Sequence, residues 1–141
     1  MLEAITAMAS VIGDPYLLML IAVTTVLGIV IGVLPGLGAT TGAALLLPFT
    51  LTMSPVNAIA VLATLYVSAT FAGSITAILI NTPGTSAAAA TTFDGFPLAQ
   101  RGEAGRALGI AVVSSTIGGI FSIIVLCLAA PLLARVAYEF R

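Results

Sequence analysis

The sequence predicts an all-α integral membrane protein, and three observations carry that prediction. Only 6% of the 141 residues are charged, while 60% are hydrophobic and the mean hydropathy is +1.26. A soluble domain carries about 25% charged residues, so this chain has too few to cover a water-facing surface. No charge occurs from residue 15 to residue 93. Apolar runs long enough to span a bilayer recur near 16–34, 56–80 and 107–130. The length predicts a single transmembrane domain, 1–141.

Residues 1–14 place Leu2, Ile5, Met8 and Ile12 at helical spacing, as in a short helix lying at the membrane interface. This stretch has no Lys or Arg, so it lacks the positive region of a signal peptide and is expected to be retained. Asp14-Pro15 reads as a helix start, a capping side chain followed by proline at the first helical position. The run 16–34, "YLLMLIAVTTVLGIVIGVL", is about 28 Å long as helix, against roughly 30 Å of hydrocarbon.

A break follows, "LPGLGATTG", and then the short apolar stretch 43–52, about 15 Å of helix. Residues 35–52 therefore read as a discontinuous or re-entrant half-helix. Ser54-Pro55 is a second cap-plus-proline start, and 56–80 is long enough to span. A second break, "NTPGTS" at 81–86, leads into "AAAATTF", so 81–93 reads as a second half-helix. Residues 94–106, "DGFPLAQRGEAGR", read as a loop in water. After the span 107–130, Pro131 is expected to end or kink the helix. The tail then sets Leu132, Leu133, Val136 and Phe140 on one side, which suits an interfacial helix. Arg101 and Arg106 place the 94–106 loop in the cytoplasm; the tail arginines, Arg135 and Arg141, pull toward the same side and are expected to snorkel.

Composition also excludes whole classes of chemistry. With no His and one Cys, Cys127, the chain has no intrachain disulfide, no Cys/His zinc site and no Ser-His or Cys-His nucleophile pair. Cys127 lies in an apolar run and reads as packing. Nothing points to nucleic acid: there is no basic patch, no Trp, and aromatics make up 6%. A phosphate-binding loop would need a Lys after its last glycine, and Gly42 is followed by Ala43. An enzyme is not expected, and no cofactor or metal.

The two breaks share a plan: Pro-Gly, then small and hydroxyl residues, then an alanine-rich restart. One reading is packing. Gly28, Gly32 and Gly36 recur every four residues, as do Ala69, Gly73 and Ala77, and such faces let helices approach closely. The other is a binding site. Irregular backbone at membrane depth is tolerated only where it is buried in protein or lines a water-filled cavity. A half-helix restarting there turns free N–H groups and a positive dipole end into that cavity. Paired discontinuous segments are a sequence pointer to a transporter binding site. With no Lys, Arg or His nearby, an anion would be met by backbone N–H groups, by the hydroxyls of Thr40, Thr41, Thr85 and Ser86, and by the Asn81 amide. Carbonyls at the helix ends offer oxygens to a coupling cation.

At these residues the chain resembles the large membrane subunit of the tripartite tricarboxylate transporters, the TctA family. The matching stretches are "GVLPGLGATTGAALLLPFT", "YVSATFAGSITAILINTPGTSAAAATTFDGFPLAQRGEAGRALGI" and "IGGIFSIIVLCLAAPLLA". The resemblance covers nearly all of this chain but only the N-terminal portion of the family's subunit, whose second half has its own Pro-Gly break and an asparagine-rich "PE…NNA" motif. It implies a multi-pass protein of the bacterial cell inner membrane that imports carboxylates, tricarboxylates among them, driven by Na+ or H+. It implies two partners, a small membrane subunit and a periplasmic solute-binding protein, besides the lipid bilayer and the carboxylate substrate. The family-like functional positions are Pro35, Gly36, Gly38, Thr40, Thr41 and Gly42, then Asn81, Pro83, Gly84, Thr85 and Ser86. The alternative reading is a membrane remnant with a packing or scaffolding role and no transport of its own. Both readings require insertion: the chain should stay in the membrane pellet through alkaline carbonate washing, and release into the supernatant would refute both.

Overall fold

Capping chemistry starts two of the long helices where the sequence predicts. The Asp14 carboxylate accepts from the Tyr16 N–H at 2.9 Å, and Pro15 opens the helix α1, Pro15–Val33. The Ser54 hydroxyl accepts from the Asn57 N–H at 3.4 Å at the start of a second long helix, Pro55–Ile80. In this computed structural model, which describes residues 13–34 and 36–139, the helices are α1, α2 (Ala39–Thr50), α3 (Pro55–Ile80), α4 (Ala89–Gln100) and α5 (Ala104–Glu139). No strand occurs among the described residues. α1, α3 and the Ala104–Ala130 part of α5 are each long and apolar enough to cross a membrane. The expected interfacial helix at 1–14 falls, for residues 1–12, outside the described residues.

Three expectations are corrected. Residues 94–100 are not loop: α4 runs through Asp94, Gly95 and Pro97 to Gln100, and the water loop shrinks to 101–103. Gly95 there serves packing, since a Cβ on it would lie 2.7 Å from Ile78 Cγ1 of α3. The true stop is Arg101-Gly102. Gly102 adopts φ +82°, its N–H donates to the Ala99 carbonyl at 3.0 Å, and the Glu103 N–H donates to the Leu98 carbonyl at 3.0 Å. That pattern is a Schellman cap, which needs a left-handed residue and so selects glycine. The restart in the second break also begins later than expected, at Ala89. Third, α5 does not end at Pro131 but continues to Glu139, so no separate tail helix forms. Proline removes one backbone donor, a loss membrane helices tolerate.

α3 is the hub: each of the other four helices packs against it, and among the described residues neither α1 nor α2 packs against α4 or α5. Glycines set the directions. Gly28 faces Leu65 and Ser68, and Gly32 faces Ala69, so α1 runs parallel to α3 at backbone contact. α2 joins α3 through residues 51–54 and packs along it, with Gly42 against Leu65, so α2 runs back antiparallel. On the other side Gly84 meets Gly73 and Gly95 meets Ile78, so the chain through α4 runs parallel to α3. α5 follows the short 101–103 connection and packs against both α4 and α3, so it returns antiparallel, with Ala107 and Ser115 lining clefts shared with those helices. Outward-facing apolar side chains such as Val26 and Val30 on α1 and Ile117, Phe121 and Leu128 on α5 are exposed, which carries no penalty in lipid.

This topology puts the α2–α3 connection at one end of the bundle and the 101–103 connection at the other. With Cys127→Ala as background, single cysteines at Thr52 and Gln100 should be labelled by an impermeant thiol reagent from opposite sides of the membrane. In whole cells Gln100 is expected to be the protected position. Labelling of both from one side would break the three-span arrangement.

Candidate functional site

The first break is a tight turn. α1 ends at Val33, and the Leu37 N–H donates to the Leu34 carbonyl at 3.1 Å. Gly36, third in that turn, adopts φ +89°, the conformation a type II turn reserves for glycine. Pro35 lies outside the described residues. Gly38 then caps α2 with φ −76° and ψ 171°, extended backbone open to any residue, and no side chain caps the helix. A Cβ at Gly38 would meet nothing within 4 Å. The N–H groups of Ala39, Thr40 and Thr41 occupy the first turn, where a helix supplies no partners. Thr40 and Thr41 are exposed, and neither hydroxyl makes a hydrogen bond among the described residues. Gly42 differs: it is buried, and a Cβ on it would lie 3.1 Å from Ile31 and 3.4 Å from Leu65. Close packing between α1, α2 and α3 accounts for that glycine without a ligand.

The second break folds back along α3. Asn81 ends α3 in the left-handed conformation at φ 55°, with its N–H and that of Thr82 both donating to the Thr76 carbonyl. The chain then descends beside the helix it has just left. The Gly84 N–H donates to the Gly73 carbonyl at 3.3 Å, which also accepts from the Thr76 hydroxyl at 3.1 Å. Thr85 turns the chain into α4: its hydroxyl and its carbonyl both accept from the Ala88 N–H, at 3.3 and 3.1 Å. Asn81, Pro83 and Ser86 are exposed.

The second break meets the last turn of α1 at Gly84. A Cβ on Gly84 would lie 2.8 Å from the Gly32 carbonyl oxygen and 2.8 Å from Gly73 Cα. A Cβ on Gly32 would collide with the Ala69 backbone, and one on Gly73 would lie 3.1 Å from the Thr85 nitrogen. Three glycines therefore bring the end of α1, the middle of α3 and the re-entrant segment into backbone contact. Eleven residues of α3, about 16 Å, extend beyond Ala69, so the end of α1 and Gly84 lie well inside the span. The site residues do not all converge: Gly84 and Thr85 reach the α1 end, Asn81 stays at the far end of α3, and Gly42 belongs to the packing core.

One group escaped the sequence reading. Asp94, taken for a loop residue, lies on α4 and lines a cleft of about 300 Å3 between α3, α4 and α5, with Ser74, Thr91, Ser114 and Ser115. The available signal was its isolation, since it is the first charge after Asp14.

Substitutions at Gly38 and Gly84 should separate packing from open space. Gly84→Ala should lower the melting temperature of the purified protein, because an overpacked core contact costs about 1–3 kcal/mol. Gly38→Ala should leave it within the small range of surface substitutions, about 0.5 kcal/mol. Equal melting temperatures for Gly84→Ala and the parent would refute the glycine junction.

The tripartite tricarboxylate transporter TctA family matches residues 18–141, a stretch that takes in both breaks and the cleft. A curated relative, the "Uncharacterized 52.8 kDa protein in TAR-I ttuC' 3'region" of Agrobacterium vitis, is 47% identical over 118 residues. That alignment covers 84% of this chain and 24% of the relative, so the chain spans less than a quarter of the protein it matches. No solved structure matches. With the family's pattern running through all five helices, the chain belongs to the tripartite tricarboxylate transporter TctA family.

Proposed function

We propose that the chain forms the N-terminal portion of the membrane subunit of a secondary, ion-coupled transporter that imports carboxylates across the bacterial inner membrane. On this reading a periplasmic solute-binding protein delivers the substrate and a small membrane subunit completes the assembly. Na+ or H+ drives uptake. The observation that carries the reading is the seating of the second break against the last turn of α1, just before the first break, at one level of α3 through Gly32, Gly73 and Gly84. A single kink in a membrane helix needs no such partner. Two interrupted segments held together inside the span give irregular backbone the protein-lined setting it requires.

The chemistry follows from what this level holds. It has no cationic side chain, so a carboxylate would be bound by dipoles. The first turn of α2 offers the N–H groups of Ala39, Thr40 and Thr41 and the positive end of the helix dipole, roughly half an elementary charge. The Thr40 and Thr41 hydroxyls lie in the same turn. Gly38, with open space around it, leaves the backbone accessible beside them. Neutral donors suit a cargo that must leave again, since a fixed Arg or Lys would hold a carboxylate more tightly.

Thr41→Val keeps the shape and removes the hydroxyl. A hydrogen bond to a charged group is worth about 1.5–3 kcal/mol, so apparent affinity for substrate should fall roughly 10- to 150-fold. Gly38→Val should also lower uptake, while Gly28→Ala should disturb helix packing before affinity. The measurement is uptake against substrate concentration by the complete subunit reconstituted with its partners, at matched membrane levels. Unchanged affinity and rate in both Thr41→Val and Gly38→Val would make the break structural. The close contacts of Gly28, Gly32, Gly42 and Gly84 would then favour a packing or scaffolding role.

A further inference from the structure

We infer that the second half of α5 seats a further membrane helix of the same polypeptide, on the side that carries Gly118 and Ser122. α4 is a half-helix and α5 is not. They are antiparallel neighbours joined through 101–103, so the 12 residues of α4 accompany only the first part of α5, from Ala104 to about Ser115. α5 then runs on through the span from Thr116 to Ala130, about 22 Å of helix. Among the described residues nothing covers that part: Thr116 to Leu128 are all exposed, and a Cβ added at Gly118 or Gly119 would meet nothing within 4 Å.

The two sides of α5 differ in kind. Val113, Ile117, Ile120 and Ile124 fall at three- and four-residue spacing on one side, and all are exposed. Ala107, Ala111, Ser114, Gly118 and Ser122 fall at the same spacing on the other. Large aliphatic side chains are at home in lipid, whereas small ones let another helix approach to backbone distance. The small side is already an interface where α5 has a neighbour. Ala107 is buried, and Ala107, Ala111 and Ser114 line the cleft shared with α3 and α4. Gly118 and Ser122 continue that same side one and two turns further, past the start of α4.

The second break needs the same cover. Ser86 and Ala87, just before α4, are exposed, and irregular backbone at membrane depth is tolerated only within protein or beside water. Ala87 and Ala88 line a cavity with Tyr66 and Val67 of α3 and Ser115 of α5, so a helix laid along Gly118 and Ser122 reaches it. The choice of occupant rests on the reading above, of this chain as the N-terminal portion of a longer subunit. The alignment with the curated relative covers 24% of that protein, so most of a protein of that length is further chain. The remainder of the subunit is tethered to α5, which gives its helices a high local concentration that a second copy or a separate subunit lacks.

The test is electron paramagnetic resonance of the full-length subunit in lipid nanodiscs, one copy per disc. Nitroxide labels go on single cysteines, Ser122→Cys or Ile124→Cys, in a background otherwise free of cysteine that includes Cys127→Ala. Oxygen concentrates in the bilayer core and relaxes a label that faces lipid. The label at Ser122 should be immobilised and severalfold less accessible to oxygen than the label at Ile124. Thermal unfolding guards against a label that wedges the helices apart. Gly118→Trp should lower the melting temperature of the full-length subunit by several degrees, as overpacking does, while Ile117→Trp should stay near the parent. Equal oxygen access at Ser122 and Ile124, with no loss of melting temperature in Gly118→Trp, would leave that side to lipid and overturn the seat. Shielding of Ser122 that appears only with two copies per disc, or only on adding the small membrane subunit, would overturn it in favour of that partner. Uptake fails separately: a subunit that shields Ser122 and imports no carboxylate loses the transporter reading and keeps the seat.

Discussion

The backbone of Gly84 lies against the Gly32 carbonyl on one side and Gly73 Cα on the other, and the arrangement of the whole chain depends on that contact. Membrane helices gain little from hiding apolar surface from one another, because lipid is as apolar as they are. What holds them is close van der Waals approach, and backbones approach only where no Cβ intervenes. Gly28 and Gly32 bring α1 onto α3, Gly84 seats the returning segment on both, and Gly95 brings α4 against Ile78. Remove the glycine at the centre and the re-entrant segment must lift away from α1. The two breaks would then lose their common level.

This explains which parts of the fold were legible in the sequence. The spans near 16–34, 56–80 and 107–130 are set by length and absence of charge, and α1, α3 and α5 occupy them. Asp14-Pro15 and Ser54-Pro55 are local signals, and both start helices. Glycine is another matter, because one residue type answers to several physical needs. Gly36 and Gly102 are there for positive φ, Gly42 and Gly95 for packing, and Gly38 for neither. Reading the Asp94-Gly95-Phe96-Pro97 stretch as loop mistook a packing glycine for a turn glycine. Only the partner, Ile78 seventeen residues earlier and on another helix, distinguishes the two.

Hydroxyls carry the same ambiguity and the structure resolves it differently. Counted in sequence, Thr40, Thr41, Thr85 and Ser86 form one polar set. In space Thr85 is engaged in the turn that starts α4, accepting from Ala88, while Thr40 and Thr41 stand in the first turn of α2 with their oxygens uncommitted. Most threonines deeper in the helices satisfy themselves on their own backbone, at 2.7 Å for Thr25 and Thr70. A polar side chain in a membrane helix is therefore informative when it declines the carbonyl one turn back.

The re-entrant segment connects the two polar regions. Gly73 and Ser74 are consecutive on α3, yet Gly73 receives Gly84 while Ser74 lines the cleft with Asp94. Residues 81–88 thus touch the α1 end through Gly84, while Ala87 and Ala88 line a cavity that Ser115 of α5 also lines. α4 is continuous with this segment, so a shift of α4 along α3 must either break the 3.3 Å bond from Gly84 to Gly73 or carry Gly84 across Gly32. Packed glycine contacts do not stretch: with backbone on both sides they hold or they part. An event in the cleft of Asp94 that moved α4 would therefore be registered at the end of α1, where α2 begins.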